Sequence, residues 1–379
     1  MEATRSASVM AHSFSFDRYG RIVPTKAANS EARVFGGMAI MLPRSVQAGT
    51  TSLSATDCSA FNSSLELTIL PTEKCDFKCP YCFEQFKLGR MEAPVVSGIK
   101  NLISNRAPEL VQLNVMWYGG EPMLEYPLIV GVMEHVASVK GPALSVYSEM
   151  TTNGYNLSSE KFARLVGLGV QNYQITFDGD KEEHEKLRLS RSGRPTFDVI
   201  WANVTTPHET DLPFRIKVRL HVNRDNEASM ISLLRRFAAE IGSDERYEFN
   251  VRTLMRLGGA HDADLPLLPA GSKSVETVAD VARSLGFRIS PRDPDYVCYA
   301  SKPNSFLIRP NGVLLKCGVH LYDVTNSIGS VNPDGTLEIY ANKALHWSRG
   351  MLTGNKLELA CPARNFSDNV ETDKAALRK

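Results

Sequence analysis

Leu65-Glu66-Leu67-Thr68-Ile69, followed shortly by Cys75-Asp76-Phe77-Lys78-Cys79-Pro80-Tyr81-Cys82, is the stretch from which the rest of the chain is read. Its first five residues alternate apolar and polar side chains, the period of a strand with one face in a core. Cys75, Cys79 and Cys82 then fall in one short run with the spacing Cys-x3-Cys-x2-Cys. Thiolates are the usual ligands of a 4Fe–4S cluster, which has four irons. Three from one loop can wrap one face of it and leave one iron open to a small molecule. Tyr81 and Phe83 supply cover against water. The competing reading is zinc, but a structural zinc site takes four protein ligands. No further Cys or His stands at the expected distance just beyond, and no second Cys-x2-Cys exists. Buried thiols without a ligand are the third reading.

Working outward, strand-like stretches recur at 113–118, 144–150, 173–177, 215–220 and 247–254. Helical spacing lies between them: Val95, Ile99, Leu102 and Ile103; Phe162, Leu165 and Val166, with Ser158 or Ser159 as N-cap; and Met230, Leu233, Leu234 and Phe237. Strands alternating with helices predict an α/β fold, a parallel sheet curled into a partial (β/α)6 barrel over residues 61–260. Residues 261–289 form a linker carrying a helix at 275–285. Residues 290–379 change character, with Pro291, Pro294, Pro303 and Pro310 and the turn signals Pro310-Asn311-Gly312 and Pro333-Asp334-Gly335. They read as a small β-rich domain holding Cys298, Cys317 and Cys361. Residues 1–60 are an N-terminal extension with a hairpin near 16–24, short for an independent domain.

The 379 residues carry a net charge of +1, with 43% hydrophobic and 22% charged residues. That balance argues for neither a nucleic acid nor a membrane surface as partner. No apolar run is long enough to span a bilayer, and the N-terminus lacks a secretory core, so a cytoplasmic location is expected. Seven cysteines, an odd count, argue against a disulfide framework.

Each later motif follows a predicted strand, and in a barrel those positions share the C-terminal face. After the second strand comes Trp117-Tyr118-Gly119-Gly120-Glu121-Pro122, where glycines allow close backbone approach and Glu121 can accept hydrogen bonds from an ammonium group. After the third come Thr152, Asn153 and Gly154, able to bond a hydroxyl or carboxylate or simply to make a turn. After the fourth, alternation turns Gln174, Thr176 and Asp178 toward the lumen. His184, Arg188, Gly193 and Thr196-Phe197 follow; Arg188 can clamp a carboxylate or lie on a charged surface helix. After the fifth comes His221-Val222-Asn223, with Asn223 a candidate for a ribose or base edge.

The cysteine spacing with an aromatic before its third member, together with these motifs, resembles the radical S-adenosylmethionine (SAM) superfamily across about residues 65–365. The resemblance implies SAM chelated to the open iron and reductively cleaved to a 5′-deoxyadenosyl radical. It places SAM against Tyr81, Gly119, Gly120, Glu121, Pro122, Thr152, Asn153, Gln174, Asp178, Arg188 and Asn223. Cys298 and Cys317, with Gly312 between them, resemble the start of a SPASM domain. That domain continues with a longer cysteine set, of which only Cys361 is present; Arg364 stands where the next cysteine would fall. The likeness is therefore to the shortened twitch form with one auxiliary iron–sulfur cluster held by Cys298, Cys317 and Cys361. Its fourth ligand is open, Cys58 being one candidate. The implied activity is oxidative modification of a ribosomal precursor peptide, by a thioether or carbon–carbon (cyclophane) crosslink. The implied partners are that peptide, a separate leader-recognition protein and a flavodoxin- or ferredoxin-like electron donor. Sulfatase maturation to formylglycine is the rival within the class. It is disfavoured because Gly318 stands where those enzymes carry an acidic residue. A non-catalytic iron–sulfur or zinc scaffold is the rival outside it. No general base is named by spacing; Asp293, Asp295, Tyr296 and His320 lie near the C-terminal cysteines.

Overall fold

The computed structural model describes residues 14–24, 61–291 and 293–364. A hairpin of β1 (Phe14–Phe16) and β2 (Ile22–Pro24) comes first, where the sequence places one. The barrel strands are β3 (Ser64–Ile69), β4 (Gln112–Trp117), β5 (Ser145–Thr152), β6 (Asn172–Phe177), β7 (Arg215–Val222) and β8 (Tyr247–Thr253). All pair in parallel and in chain order. The connections carry α1 (Ala93–Arg106), α2 (Tyr126–Val139), α3 (Ser159–Gly167), α4 (Lys181–Leu187), α5 (Phe197–Thr205) and α6 (Glu227–Ile241). Ser158 is the N-cap residue of α3, although its side chain makes no cap hydrogen bond. After β8, α7 (Ser274–Ser284) leads to β9 (Arg288–Ile289), which adds a further parallel strand at the edge.

The partial barrel is thus as read, with its apolar face outward. Leu113, Val115 and Trp117 of β4, Tyr173, Ile175 and Phe177 of β6, and Ile216, Val218 and Leu220 of β7 are all buried. The intervening polar residues face the other way. Phe177 and Phe197 meet the His184 ring tilted and edge-on, and Trp201 and Phe237 pack edge-on against Phe177 in turn. His184 is fully buried and neither ring nitrogen has a hydrogen-bond partner. Burial, with the charge of Arg188, pushes its pKa from 6.5 to about 3. The imidazole is therefore neutral packing, and its contribution to stability is complete above pH 6.5 and lost as pH falls toward 3. His184→Phe is expected to flatten the acid side of the stability profile, read as urea midpoints between pH 7 and pH 4. Equal slopes for the variant and the parent chain would rule this out.

The C-terminal strands do not form a sheet of their own. β10 (Ser305–Ile308) pairs in parallel with β3, and β11 (Val313–Leu315), β12 (Ser327–Val331) and β13 (Leu337–Ile339) follow antiparallel. The single sheet has eleven strands in the order β13-β12-β11-β10-β3-β4-β5-β6-β7-β8-β9. The turns between β10 and β11 and between β12 and β13 fall at the two Asn-Gly and Asp-Gly signals. α8 (Ala341–Thr353) and α9 (Lys356–Ala360) close the described chain. Because β10 covers it, β3 is a central strand. Glu66 is buried there and accepts from Lys302 Nζ (3.0 Å) and Ser305 Oγ (3.3 Å).

Candidate active site

The cysteine loop leaves the C-terminal end of β3 and is held by backbone before any side chain is considered. Phe77 bridges Ser190, Lys78 N donates to Leu189 O (2.8 Å), and Arg191 N donates to Asp76 O (2.7 Å). Arg191 Nε also donates to Cys75 O (2.8 Å). From the other side, Glu121 N donates to Lys74 O (2.9 Å). Here the paired glycines act. A Cβ on Gly120 would stand 2.5 Å from the Glu73 carbonyl oxygen and closer still to that of Lys74; Gly119, at φ +110°, lies as tightly against Thr72 O.

Glu121 is wholly buried and accepts three hydrogen bonds: Met123 N (2.9 Å) and Thr152 Oγ1 (2.6 Å) on Oε1, and Asn153 N (2.6 Å) on Oε2. Burial raises its pKa to about 7 despite those donors. The carboxylate therefore joins the ends of β4 and β5. Thr152 spends its proton on Glu121, and its oxygen accepts from Gly154 N (3.1 Å). Asn153 donates through Nδ2 to Asp76 Oδ1 (2.7 Å), while Asn156 reaches Asp76 Oδ2 (2.7 Å). So Asp76, inside the cysteine motif, pins that loop to the loop after β5.

Across the mouth, Tyr81 donates to Asp178 Oδ2 (2.6 Å), and Arg188 Nη1 donates to the Tyr81 hydroxyl (3.0 Å). His221 Nδ1 lies 3.2 Å from Asp178 Oδ1, and its ring meets Tyr81 edge-on. Burial would raise the Asp178 pKa, but the bond and charge of His221, the charge of Arg188 and the bond from Tyr81 outweigh it and hold it below the usual range. Asp178 is an anion beside Cys79, and Arg188 is its cation. Thr196 Oγ1 fixes Arg188 by donating to its carbonyl (2.9 Å). Arg188 Nε is buried without a partner. Asn223 closes a local turn, its Oδ1 accepting from Asp225 N (2.9 Å). Asn226 is the hub there, donating to Asp178 O (3.0 Å) and His221 O (2.9 Å). Gln174 and Thr176 are half-buried on the lumen face of β6. Pro122 is buried at the head of a short 3-10 turn.

Sequence reasoning missed Asp76, Asn156, His221 and Asn226 as members of this network. Each is a common turn residue at a strand end, with nothing local to set it apart. Only its place near the C-terminal end of a lumen-lining strand, β7, marked His221.

The C-terminal cysteines also share one place. Cys298 N donates to Leu359 O (2.9 Å), at the end of α9 just before Cys361, and Cys317 N to Asn326 Oδ1 (2.9 Å). Burial raises the Cys298 and Cys317 pKa values, and the nearby Cys361 raises both further. Cys58 lies outside the described residues. Tyr118 and Tyr299 stand between the two cysteine groups: burial pushes both pKa values up, helped by Cys82 at Tyr118 and by Cys317 at Tyr299.

Among the described residues no three His, Cys, Asp or Glu side chains gather into a single-ion site. Sulfur positions alone thus single out neither zinc nor a cluster; the surroundings decide. Burial raises the pKa of Cys75 and Cys79, and that of Cys82 to about 12, with Glu121, Asp178 and Glu84 respectively adding to it. Thiolates here need a compensating cationic group. The adjoining mouth offers an unpartnered guanidinium nitrogen on Arg188. These residues fit a cluster with a zwitterionic ligand at its open iron.

A parallel partial barrel with such a cysteine loop at its C-terminal mouth defines a class. Residues 69–236 match the model of the Radical SAM superfamily. It is 26% identical over 259 residues to a PqqA peptide cyclase of Gluconobacter oxydans, covering 65% of this chain and 68% of that protein. A PqqA peptide cyclase of Bradyrhizobium diazoefficiens is 23% identical over 271 residues, covering 68% and 67%. Among solved structures, anSMEcpe with bound AdoMet and the Kp18Cys peptide superposes with TM-score 0.59 at 17% identity, covering 76% of this chain and 83% of that one. Streptococcus suis SuiB bound to precursor peptide SuiA gives 0.53 at 14%, covering 83% and 74%. The structural likenesses extend to the fold. No helix among the described residues is long and apolar enough to cross a membrane.

Proposed function

We propose that this protein is a radical SAM maturase that oxidatively crosslinks a ribosomal precursor peptide, through a thioether or carbon–carbon bond. The observation that carries the reading is a second group of cysteines, Cys298, Cys317 and Cys361, beside Tyr299, whose hydroxyl accepts from Gly318 N (2.8 Å), and beside Tyr118, on which the charge of Cys82 also acts. One group held at the radical-forming site and one auxiliary group at Cys298, Cys317 and Cys361 suit a reaction that must remove an electron from the substrate. The names of the relatives, peptide cyclases, support a peptide substrate.

When bound at Cys75, Cys79 and Cys82, a 4Fe–4S cluster with SAM supplies a hydrogen-abstracting radical. The protein's own part is positioning. Glu121, Thr152, Asn153 and Asp76 hold the cysteine loop against two strand ends. Arg188 presents a fixed cation to the SAM carboxylate, with Tyr81, Asp178 and His221 setting its place. Gly119 and Gly120 let their backbone pack directly on the carbonyls of Thr72, Glu73 and Lys74, which seats the cysteine loop.

The sulfatase-maturing alternative needs an acidic side chain after Cys317. A Cβ at Gly318 would meet the Tyr118 ring and the Tyr299 hydroxyl, each at 3.3 Å, so that space is already furnished with phenols.

Anaerobically reconstituted full-length protein with dithionite and SAM should yield 5′-deoxyadenosine, measured by chromatography. Cys79→Ala should reduce it to background. Cys317→Ala should keep SAM cleavage but give no crosslinked product from a precursor peptide encoded beside the gene. No 5′-deoxyadenosine from the parent chain would leave a non-catalytic scaffold as the better account.

A further inference from the structure

The lumen side chains of β6, β7 and β8 form layers in register. At the top are Asp178 and His221, beside Tyr81. Two residues deeper, Thr176 pairs with Arg219 and Arg219 with Asn250. Deeper again, Gln174 pairs with Lys217 and Lys217 with Glu248. The middle layer lies beneath the radical-forming mouth, near enough that the charge of Arg219 acts on both Tyr118 and His221.

This layer holds two unmet groups. Arg219 Nε is a buried donor without a partner, and Asn250 Oδ1 a buried acceptor without one. Asn250 is 9% exposed, and its Cα partner is Arg219 itself, yet the two side chains do not satisfy each other. A buried donor and a buried acceptor left open on paired residues of one layer are costly unless something completes them. The complement must offer an acceptor and a donor along one edge. A primary carboxamide does so, and so do the C=O and N–H of one extended peptide residue. A carboxylate has no donor for Asn250 Oδ1.

We propose that Arg219 and Asn250 form a subsite for a carboxamide of the substrate, its C=O accepting from Arg219 Nε and its N–H donating to Asn250 Oδ1. This rests on the peptide-maturase reading and deepens it: the peptide is gripped below the radical site by an amide rather than by a charged side chain. No bond is made or broken there.

Ligand-observed saturation-transfer NMR on the cluster-reconstituted full chain tests it with three probes. N-acetylalanine methylamide stands for main chain, propionamide for an Asn or Gln side chain, and acetate for a carboxylate. At least one amide should bind, and its Kd should weaken roughly 2–10-fold in Asn250→Leu and in Arg219→Met, the net worth of one hydrogen bond. The tighter amide identifies the source. Kd values unchanged in both variants, or no amide binding at all, would overturn the subsite. Acetate binding with the same dependence would overturn its carboxamide specificity. Circular dichroism melts run alongside; if Asn250→Leu does not fold, Arg219→Met decides. Substrate-free SAM cleavage tests the enzymatic reading separately, so the two can fail independently.

Discussion

Replacing Arg309 with Leu is expected to cost about 3–5 kcal/mol of stability, the usual penalty for removing one partner of a buried ion pair. Glu73 is fully buried. Arg309, just beyond β10, donates to Glu73 Oε1 through Nε (2.7 Å) and meets it again through Nη2 (2.7 Å). On Oε2, Glu73 accepts from Leu88 N (3.1 Å) and the Tyr322 hydroxyl (3.4 Å). One carboxylate, two residues ahead of Cys75, thus ties together the segment after the cysteine motif, the β10–β11 turn and the loop after Cys317. With Arg309 gone, a charge is left in the core with neutral donors alone. The loss should therefore appear twice, in the urea midpoint and in lower iron per chain at the Cys75, Cys79 and Cys82 site. Removing both partners, Glu73→Leu with Arg309→Leu, should recover much of the loss. A double variant no more stable than Arg309→Leu would show that the pair is not the clamp.

The second large effect belongs to Gly120→Ala. The added methyl would press on the carbonyl oxygens of Glu73 and Lys74, and backbone cannot rotate aside as a side-chain end can. Since Glu121 N bonds Lys74 O from the next position, relief has to come by moving the cysteine loop. Overpacking of this kind costs about 1–3 kcal/mol, modest against a whole domain. Its consequence at the site should be larger: on the order of a 10–100-fold loss in SAM cleavage, the scale on which disturbed supports around metal ligands act. Gly89→Ala is the control, because a Cβ there meets nothing within 4 Å. Full activity in Gly120→Ala would mean that the loop does not depend on this approach.

Much of this architecture is legible without coordinates. Period-two alternation in β4, β6 and β7 marks their faces because helices cover one side of the sheet and the lumen takes the other. Each motif after a strand reaches the same mouth because parallel strands all end there. The two glycine turns at 310–312 and 333–335 close hairpins because such dipeptides accept positive φ, as Gly312 and Gly335 do at +82° and +83°.

What the motif residues do was less legible. Glu121, Thr152 and Asn153 look alike as ligand-facing groups in sequence, yet their polar atoms are largely spent on one another and on Asp76. Asn223 turns its oxygen to a local turn, while Asn226 and His221 brace Asp178. These bonds join residues tens of positions apart, and no local pattern records which oxygen will find which donor.

By itself, the sequence determined the alternation of strands and helices, the cysteine triplet and the strand ends that carry the site. Those properties follow from spacing along the chain, where period and turn chemistry act over a few residues. Only the tertiary structure decided that β10 joins β3, so that Arg309 reaches Glu73. Only it paired Arg219 with Asn250 and left each with an open bond. Both outcomes depend on which strands become neighbours, a choice made by burial of the whole sheet rather than by any segment of it.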